Sequence, residues 1–333
     1  MSTGNQNGLV TVIVVQRERF STSRRSLESL FASTAPGYKL IYIDAGSPRE
    51  VRNYLARKSV ERDFEVIREE HYLSPVHARN LGLSAANTKY VAFVDNDVLF
   101  APGWLEALVE CAEETGVDVV TPLMFHKEPV LTTVHVAGGT ITISKNAGRR
   151  ELTEIQRYWN RPITEVEALL KREPTGMAEF HCLFARNDLF EKIGPLDENL
   201  LATSEHLDFS LRVSECGGTI YFEPKSRITY VLPPPLALGD IPFFSLRWSN
   251  EWTQFSEDHF FRKWDVVPFH YVLEFSARHR KRWLKKVRKI ISMIVGKRAA
   301  HRLVDGIDGA AVSLAKRRQA EHIAALLVKP GSS

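Results

Sequence analysis

Three cysteines in 333 residues, Cys111, Cys182 and Cys216, are odd in number and far apart. They offer neither a disulfide framework nor a thiolate metal site, which points to a reducing compartment. No apolar run approaches the roughly 18 residues a membrane-spanning helix needs. The opening Met-Ser-Thr-Gly-Asn-Gln-Asn-Gly is polar and lacks the apolar core of a secretory leader. A cytoplasmic chain is the expectation. Glycine is missing between Gln16 and Ser23, so the segment after the first apolar run cannot form a glycine-rich phosphate loop. Internal repeats and low-complexity tracts are absent as well.

What is present is a globular composition, 44% hydrophobic and 25% charged. The length suits one large domain with an appendage, or two ordinary domains. The net charge of +4 hides an asymmetry. From Val266 onward 15 Lys and Arg face 4 Asp and Glu, whereas the preceding residues carry 29 against 36. An acidic body and a basic tail are expected to be different physical objects.

Apolar patterning predicts alternating strands and helices over the first 125 residues. Strands are expected at 9–15, 38–43, 64–67, 90–94 and 117–124. Ser21 or Ser23 caps the first intervening helix, Ser47-Pro48 opens the second, Ser74-Pro75 the third and Pro102 the fourth. This rhythm implies a doubly wound α/β sheet of parallel strands. Residues 125–175 break it and read as an insertion: a hairpin over 134–143 around Gly138-Gly139, then charged helices over 151–172 split at Pro162. A strand at 178–185 resumes the sheet, Asn187 caps a short helix, and Ser204 caps a helix over 205–216. Two strands, 219–222 and 226–231, complete it. Pro233-Pro234-Pro235 is a stiff connector, giving a domain over 1–235 and a helical region over 236–333.

Ligands of open α/β sheets bind beyond the carboxyl ends of the strands. Three such ends carry polar groups here: Gln16-Arg17-Glu18-Arg19, Asp44, and Asp95-Asn96-Asp97. Paired carboxylates there suit a hard divalent cation bridging to phosphates. A second cluster, Ser204-Glu205-His206-Leu207-Asp208, puts Glu205 and Asp208 on one helical face with Arg212 beneath, while His206 turns away unless it lies in the preceding loop. Each alone has a plainer account, a helix cap for Asp44 and an acidic first turn for the second cluster.

Taken in order, Asp44-x-Gly46-Ser47, His77-Ala78-Arg79-Asn80-x-Gly82, Asp95-Asn96-Asp97, Phe184-Ala185-Arg186-Asn187 and Glu205-His206-Leu207-Asp208-Phe209-Ser210-Leu211-Arg212 resemble glycosyltransferase family 2 over roughly residues 10–231. The resemblance implies the GT-A fold, a mixed and mainly parallel sheet flanked by helices, with a C-terminal helical extension here. It implies inverting transfer of a sugar from a nucleoside-diphosphate sugar to an acceptor hydroxyl of a glycan or lipid-linked acceptor, in cell-envelope or surface glycan synthesis, with Mg²⁺ or Mn²⁺. Carried over residue by residue, Val15, Gln16 and Arg19 cradle the nucleoside and Asp44 contacts base or ribose. Arg79 and Asn80 lie beside the nucleotide, although Arg79 can equally pair with Asp44 or Asp95; Asp95 is on the ribose side, Asn96 binds the nucleotide sugar, and Asp97 with Asp95 holds the metal.

The chain departs from the family pattern twice. His206 stands where the family has its aspartate base, leaving Glu205, His206 and Asp208 as candidates, the first two favoured. Tyr230 stands where many members have a metal-binding histidine. His77 reads as structural, and Trp248, Trp252 and Trp264 read as a packing stripe ahead of an acceptor-lining one. The stretch from Arg278 to Arg298 interleaves Trp283, Leu284, Val287, Ile290, Ile291 and Ile294 with cations, as an interfacial helix on an anionic leaflet does. A solvated helix is the plain alternative and nucleic acid the less favoured partner. A peripheral position on the inner face of the plasma membrane would suit a lipid-linked acceptor. Two rival functions remain: a nucleotidyltransferase, which the missing glycine loop disfavours, and a catalytically silent glycan-binding scaffold, which the substitution at His206 favours.

Overall fold

The computed structural model describes residues 8–231, 236–268 and 271–328. The first half runs β1 (Val10–Val15), α1 (Ser23–Ser33), β2 (Lys39–Ala45), α2 (Arg49–Arg62), β3 (Glu65–Glu69), α3 (Pro75–Ala85), β4 (Tyr90–Asp95), β5 (Val98–Phe100), α4 (Trp104–Thr115) and β6 (Val119–His126). Every residue of β1 and β4 is buried, as expected of strands covered on both faces by helices. Strands β3, β2, β1 and β4 lie side by side and parallel. Helix α3 presses close on β1. A Cβ at Gly82 would stand 2.3 Å from Ile13 Cγ2, so any larger residue must push the helix outward, at about 1–3 kcal/mol.

The insertion differs from the reading above. It holds β7 (Val134–Val136), β8 (Gly139–Asn146), β9 (Arg149–Gln156), α5 (Ile163–Val166) and β10 (Glu173–Thr175). β7 pairs with β6, and the hairpin joins β8 to β9 around Ala147-Gly148. Of the charged helices expected over 151–172, the part before Pro162 is strand and turn, and only a short helical stretch, 163–169, follows it. In β9 the partly buried positions alternate at Leu152, Glu154 and Gln156, a period of two that the dense charge concealed.

β11 (Cys182–Arg186) then enters antiparallel between β4 and β6, so the sheet is mixed and not wholly parallel. After α6 (Leu189–Ile193) and α7 (Glu205–Glu215), the two expected final strands form one, β12 (Ile220–Tyr230), with a register shift between Glu223 and Arg227 that accommodates Pro224. Ser204 does not cap α7 through its side chain; it adopts φ +68° and donates its hydroxyl to Glu257. The triple-proline connector lies outside the described residues.

The remaining elements are α8 (Ile241–Arg247), α9 (Asn250–Trp264), α10 (Tyr271–Arg280), α11 (Leu284–Val295), α12 (Lys297–Lys316) and α13 (Glu321–Val328). They pack on the sheet's own core: Phe243, Leu246, Trp252, Ala315, Ala320 and Ile323 join Phe20, Tyr72 and Val76. The segment between α12 and α13 docks on the β3–α3 loop through Tyr72, whose backbone N–H donates to Arg318 O and whose carbonyl accepts from Ala320 N. The basic stretch is not one solvated helix. His279 and Arg280 turn inward, Arg280 donating to both oxygens of Asp308 at 3.0 Å. Among the described residues no helix is long and apolar enough to cross a membrane.

Candidate active site

The strand registers line up a row of ends. Val15 of β1 lies opposite Ile43 of β2 on one side and Asp95 of β4 on the other. Antiparallel β11 starts one residue later, so His181 comes beside Asp95, and the Asp95 N–H donates to the His181 carbonyl. Asp95, Asn96 and Asp97 are all buried.

Each of the three does something different. Asp95 accepts from Arg79 Nη2 at 2.7 Å, pairs with His181 Nδ1 at 3.1 Å and has Arg17 Nε at 3.5 Å. Burial alone would raise its pKa, but these three cations and donors outweigh it and hold the carboxyl below its ordinary value. Asn96 spends its amide on the β1–α1 loop, donating to Arg19 O and Ser23 Oγ and accepting from Arg17 N. Asp97 is left over. Neither of its oxygens has a hydrogen-bond partner among the described residues, the nearest cation being Arg19 Nη2 at 3.8 Å. Burial pushes its carboxyl up to about 6.

Ligand atoms of Asp95, Asp97 and His181 lie within 4.8 Å of one another. Two carboxylates and an imidazole, with an unsatisfied buried carboxylate among them, fit a divalent cation such as Mn²⁺ or Mg²⁺. His181 escaped the sequence reading because only the antiparallel entry of β11 places it there. Tyr230, where a histidine was expected, stacks on His181 with ring centroids 4.2 Å apart and accepts from Arg17 Nη1 at 3.1 Å.

A cavity of about 170 Å³ opens from Asp95. Arg17 and Arg79 flank that end, and the first turn of α7 supplies Glu205 and His206. Glu154 of β9, Glu179, and Trp248 and Glu257 from the C-terminal helices complete the polar lining, with Arg247 at 3.7 Å from Glu205. His206 Nε2 stands 3.3 Å from Glu154 and 4.0 Å from Glu179. Burial would lower its pKa, yet the carboxylates overcome it and push the imidazole up to about 10. Carboxylates this close favour the protonated, hydrogen-bond-donating form of the imidazole.

Other expected site residues are placed elsewhere. Asp208 is not among the cavity-lining residues; its Oδ1 takes Trp264 Nε1 at 2.9 Å and Lys263 Nζ at 2.6 Å, and its Oδ2 has Arg212 Nη1 at 3.6 Å. Asn80 ties α3 to the Leu196 backbone in both directions. Asp44 sits with Gln16, Ser47 and Arg68 at the ends of β1 and β2, its Oδ2 taking Arg68 Nη1 at 2.6 Å. Arg19 is wholly buried, donating to the Val231 carbonyl, with Nε and Nη1 unpartnered among the described residues. His77 is held by Ser74 and Glu198 beside His322, away from the cavity. Trp252 and Trp264 are core, whereas Trp248 lines the cavity.

The sequence model described as Glycosyl transferase family 2 matches residues 11–194, more than half of the chain. The chain belongs to that family. Among curated relatives of this family 2 chain, the pre-mycofactocin glycosyltransferase of Mycobacterium tuberculosis is 27% identical over 227 residues, covering 66% of this chain and 42% of that protein. Human polypeptide N-acetylgalactosaminyltransferase 13 is 28% identical over 238 residues, covering 66% and 40%. The chain thus spans less than half the length of these relatives. A crystal structure of GalNAc-T7 with UDP, GalNAc and Mn²⁺ has a TM-score of 0.53 at 15% identity, covering 88% of this chain and 58% of that one. The likeness is one of fold, GT-A.

Proposed function

We propose that this chain is an inverting glycosyltransferase that moves a sugar from a nucleoside diphosphate to an acceptor hydroxyl. The observation that carries the reading is the single cavity joining the Asp95 strand end to the Glu205–His206 turn of α7. Arg17 and Arg79 supply guanidinium groups for a diphosphate, and Asp44 and Gln16, farther along the same strand ends, suit a nucleoside. Asp95, Asp97 and His181 would hold the cation, which supplies Lewis-acid stabilisation of charge on the departing diphosphate.

Glu205 is the proton acceptor in this reading. Its carboxylate lines the cavity with Arg247 as its ion-pair partner, whereas Glu154 and Glu179 favour the protonated form of His206 and Asp208 is engaged by Lys263. The acceptor oxygen attacks the anomeric carbon, its proton passes to Glu205, and the bond to the diphosphate oxygen breaks with its electron pair. His206 and Arg247 then face the acceptor as fixed positive charge.

Release of nucleoside diphosphate from a donor panel with Mn²⁺ or Mg²⁺ tests the assignment. Turnover is expected to collapse in Glu205→Gln and the product to have inverted anomeric configuration by NMR. Turnover at the unmodified rate in Glu205→Gln, or retained configuration, overturns the role of Glu205.

For location we infer a peripheral site on an anionic membrane. On α11, Ile290, Met293 and Ile294 are 56%, 72% and 78% exposed. A cavity of about 320 Å³ beside α12 is lined by Lys285, Arg288, Lys289, Ser292, Lys297 and His301, with no acid among them. Co-sedimentation with phosphatidylglycerol vesicles is expected, and to be lost when Arg282, Lys285 and Lys289 become Glu. Equal sedimentation of both proteins would refute it.

A further inference from the structure

The lining of the active-site cavity is unequal in charge, and the inequality lies away from Asp95. Around the start of α7 stand Glu154, Glu179, Glu205 and Glu257, opposed by His206 and Arg247. These carboxylates come from four separate parts of the chain: β9 of the insertion, the approach to β11, α7 itself and α9. Glu257 lies outside the residues that the family model matches.

Glu257 also carries the sign of an incomplete site. It is 3% exposed, and its Oε1 accepts from Thr203 Oγ1 at 2.6 Å and Ser204 Oγ at 3.0 Å. Its Oε2 is buried with no partner among the described residues, although the residue lines the cavity. A buried acceptor without a hydrogen bond is destabilising, and a ligand bringing a donor would relieve it. Glu154 accepts from Gln156 Nε2 at 2.8 Å and pairs with His206 at 3.3 Å, and Glu179 stands 4.0 Å from the same imidazole, so an anionic ligand beside them meets like charge in a low-dielectric pocket.

We propose that this wall is the acceptor subsite and that it admits a glycan end rich in hydroxyl or ammonium donors while rejecting one bearing a carboxylate or phosphate, with Glu257 accepting a hydrogen bond from it. The arrangement gives the cavity two electrostatic ends, with Arg17 and Arg79 drawing the diphosphate and the carboxylates turning anions away. A negatively charged donor is thereby kept from occupying the acceptor's place. The inference rests on the glycosyl-transfer reading and narrows its substrate class.

Three methyl glycosides that differ in one group, a glucoside, a glucosaminide and a glucuronide, test it on the full chain. Saturation-transfer NMR reads their binding without requiring turnover, and acceptor-stimulated release of nucleoside diphosphate reads kcat/KM. The glucoside and glucosaminide are expected to exceed the glucuronide by more than about tenfold, since like charges across an interface suppress wrong partners. In Glu154→Gln with Glu257→Gln, substitutions that keep side-chain size, this ratio is expected to narrow by about tenfold, roughly one lost charge discrimination. A selectivity ratio is insensitive to partial misfolding. A glucuronide that binds or reacts as well as the glucoside, or a ratio unmoved by the double substitution, overturns the subsite. Absence of nucleoside diphosphate release from every donor, with the binding order intact, would instead overturn the transfer reading alone.

Discussion

The sheet and the C-terminal helices contribute to one site in opposite ways. Strand ends of the sheet present the candidate metal-holding groups: register sets Asp95 beside His181, and Asp97 follows two residues on. The helices present few groups but hold the loop on which that row depends. Asp240 accepts from Phe20 N at 2.7 Å, Ser21 N at 2.9 Å and Ser21 Oγ at 2.6 Å. Trp248 Nε1 donates to Glu18 at 3.0 Å, and His279 Nε2 stands 3.3 Å from the same carboxylate. Residues 18–21 follow Arg17, which faces Asp95, and include Arg19, which faces Asp97. A region outside the family match thus holds the loop that sets Arg17 beside Asp95 and Arg19 beside Asp97, and the candidate site is not built by the sheet alone.

The sharpest test of this contrast substitutes each side in turn. Asp97→Asn is expected to lower turnover by about a thousandfold, since it removes an anionic metal ligand worth several kcal/mol at the transition state. The thermal midpoint is expected to move little, because the Asp97 carboxylate has no hydrogen-bond partner among the described residues. Nucleoside diphosphate release and calorimetry give the two readings. Asp240→Ala removes three hydrogen bonds to the loop, worth about 3 kcal/mol together, and is expected to lower the midpoint and slow turnover by about tenfold. A variant that unfolds earlier but turns over at the unmodified rate when folded would reduce the helices to an appendage.

The same division governs what could be read from the sequence. Helix-sheet alternation through β6 was legible because doubly buried strands such as Val10–Val15 are continuous apolar runs with turn residues at either end. Asp95 and Asp97 were legible for the same reason, as polar residues at the end of such a run. His181 was not, because its place depends on an antiparallel pairing between β11 and β4 that no local pattern announces. Glu154 was hidden behind a charged segment that reads as helix, and Glu257 behind a helix whose aromatic stripe drew the attention. Asp208 shows the converse case. Helical spacing put it on the same face as Glu205, but Trp264 and Lys263 of α9 claim its carboxylate.

The smallest effect expected distinguishes a fixed cation from a proton acceptor at His206. Its pKa is raised to about 10 and that of Glu154 lowered to about 2, each principally against the cost of burial. For the histidine, the raised value means stability that is present in full below the ordinary pKa near 6.5 and is lost as pH rises through about 10. For the glutamate, the lowered value means stability present above the ordinary pKa near 4.3 and lost as pH falls through about 2. The pair therefore stabilises the fold most between about pH 4.5 and 6.5, and the alkaline limb of a stability profile carries the histidine's signature. Glu154→Gln removes one of the two carboxylates facing the ring, so the His206 imidazole should titrate at lower pH by NMR and the alkaline loss of stability should begin earlier. Glu179 remains 4.0 Å away, so the shift is partial. If the ring is neutral at pH 7 in the unmodified protein, His206 returns as a candidate base and Glu205 loses its standing as the group that takes the acceptor proton.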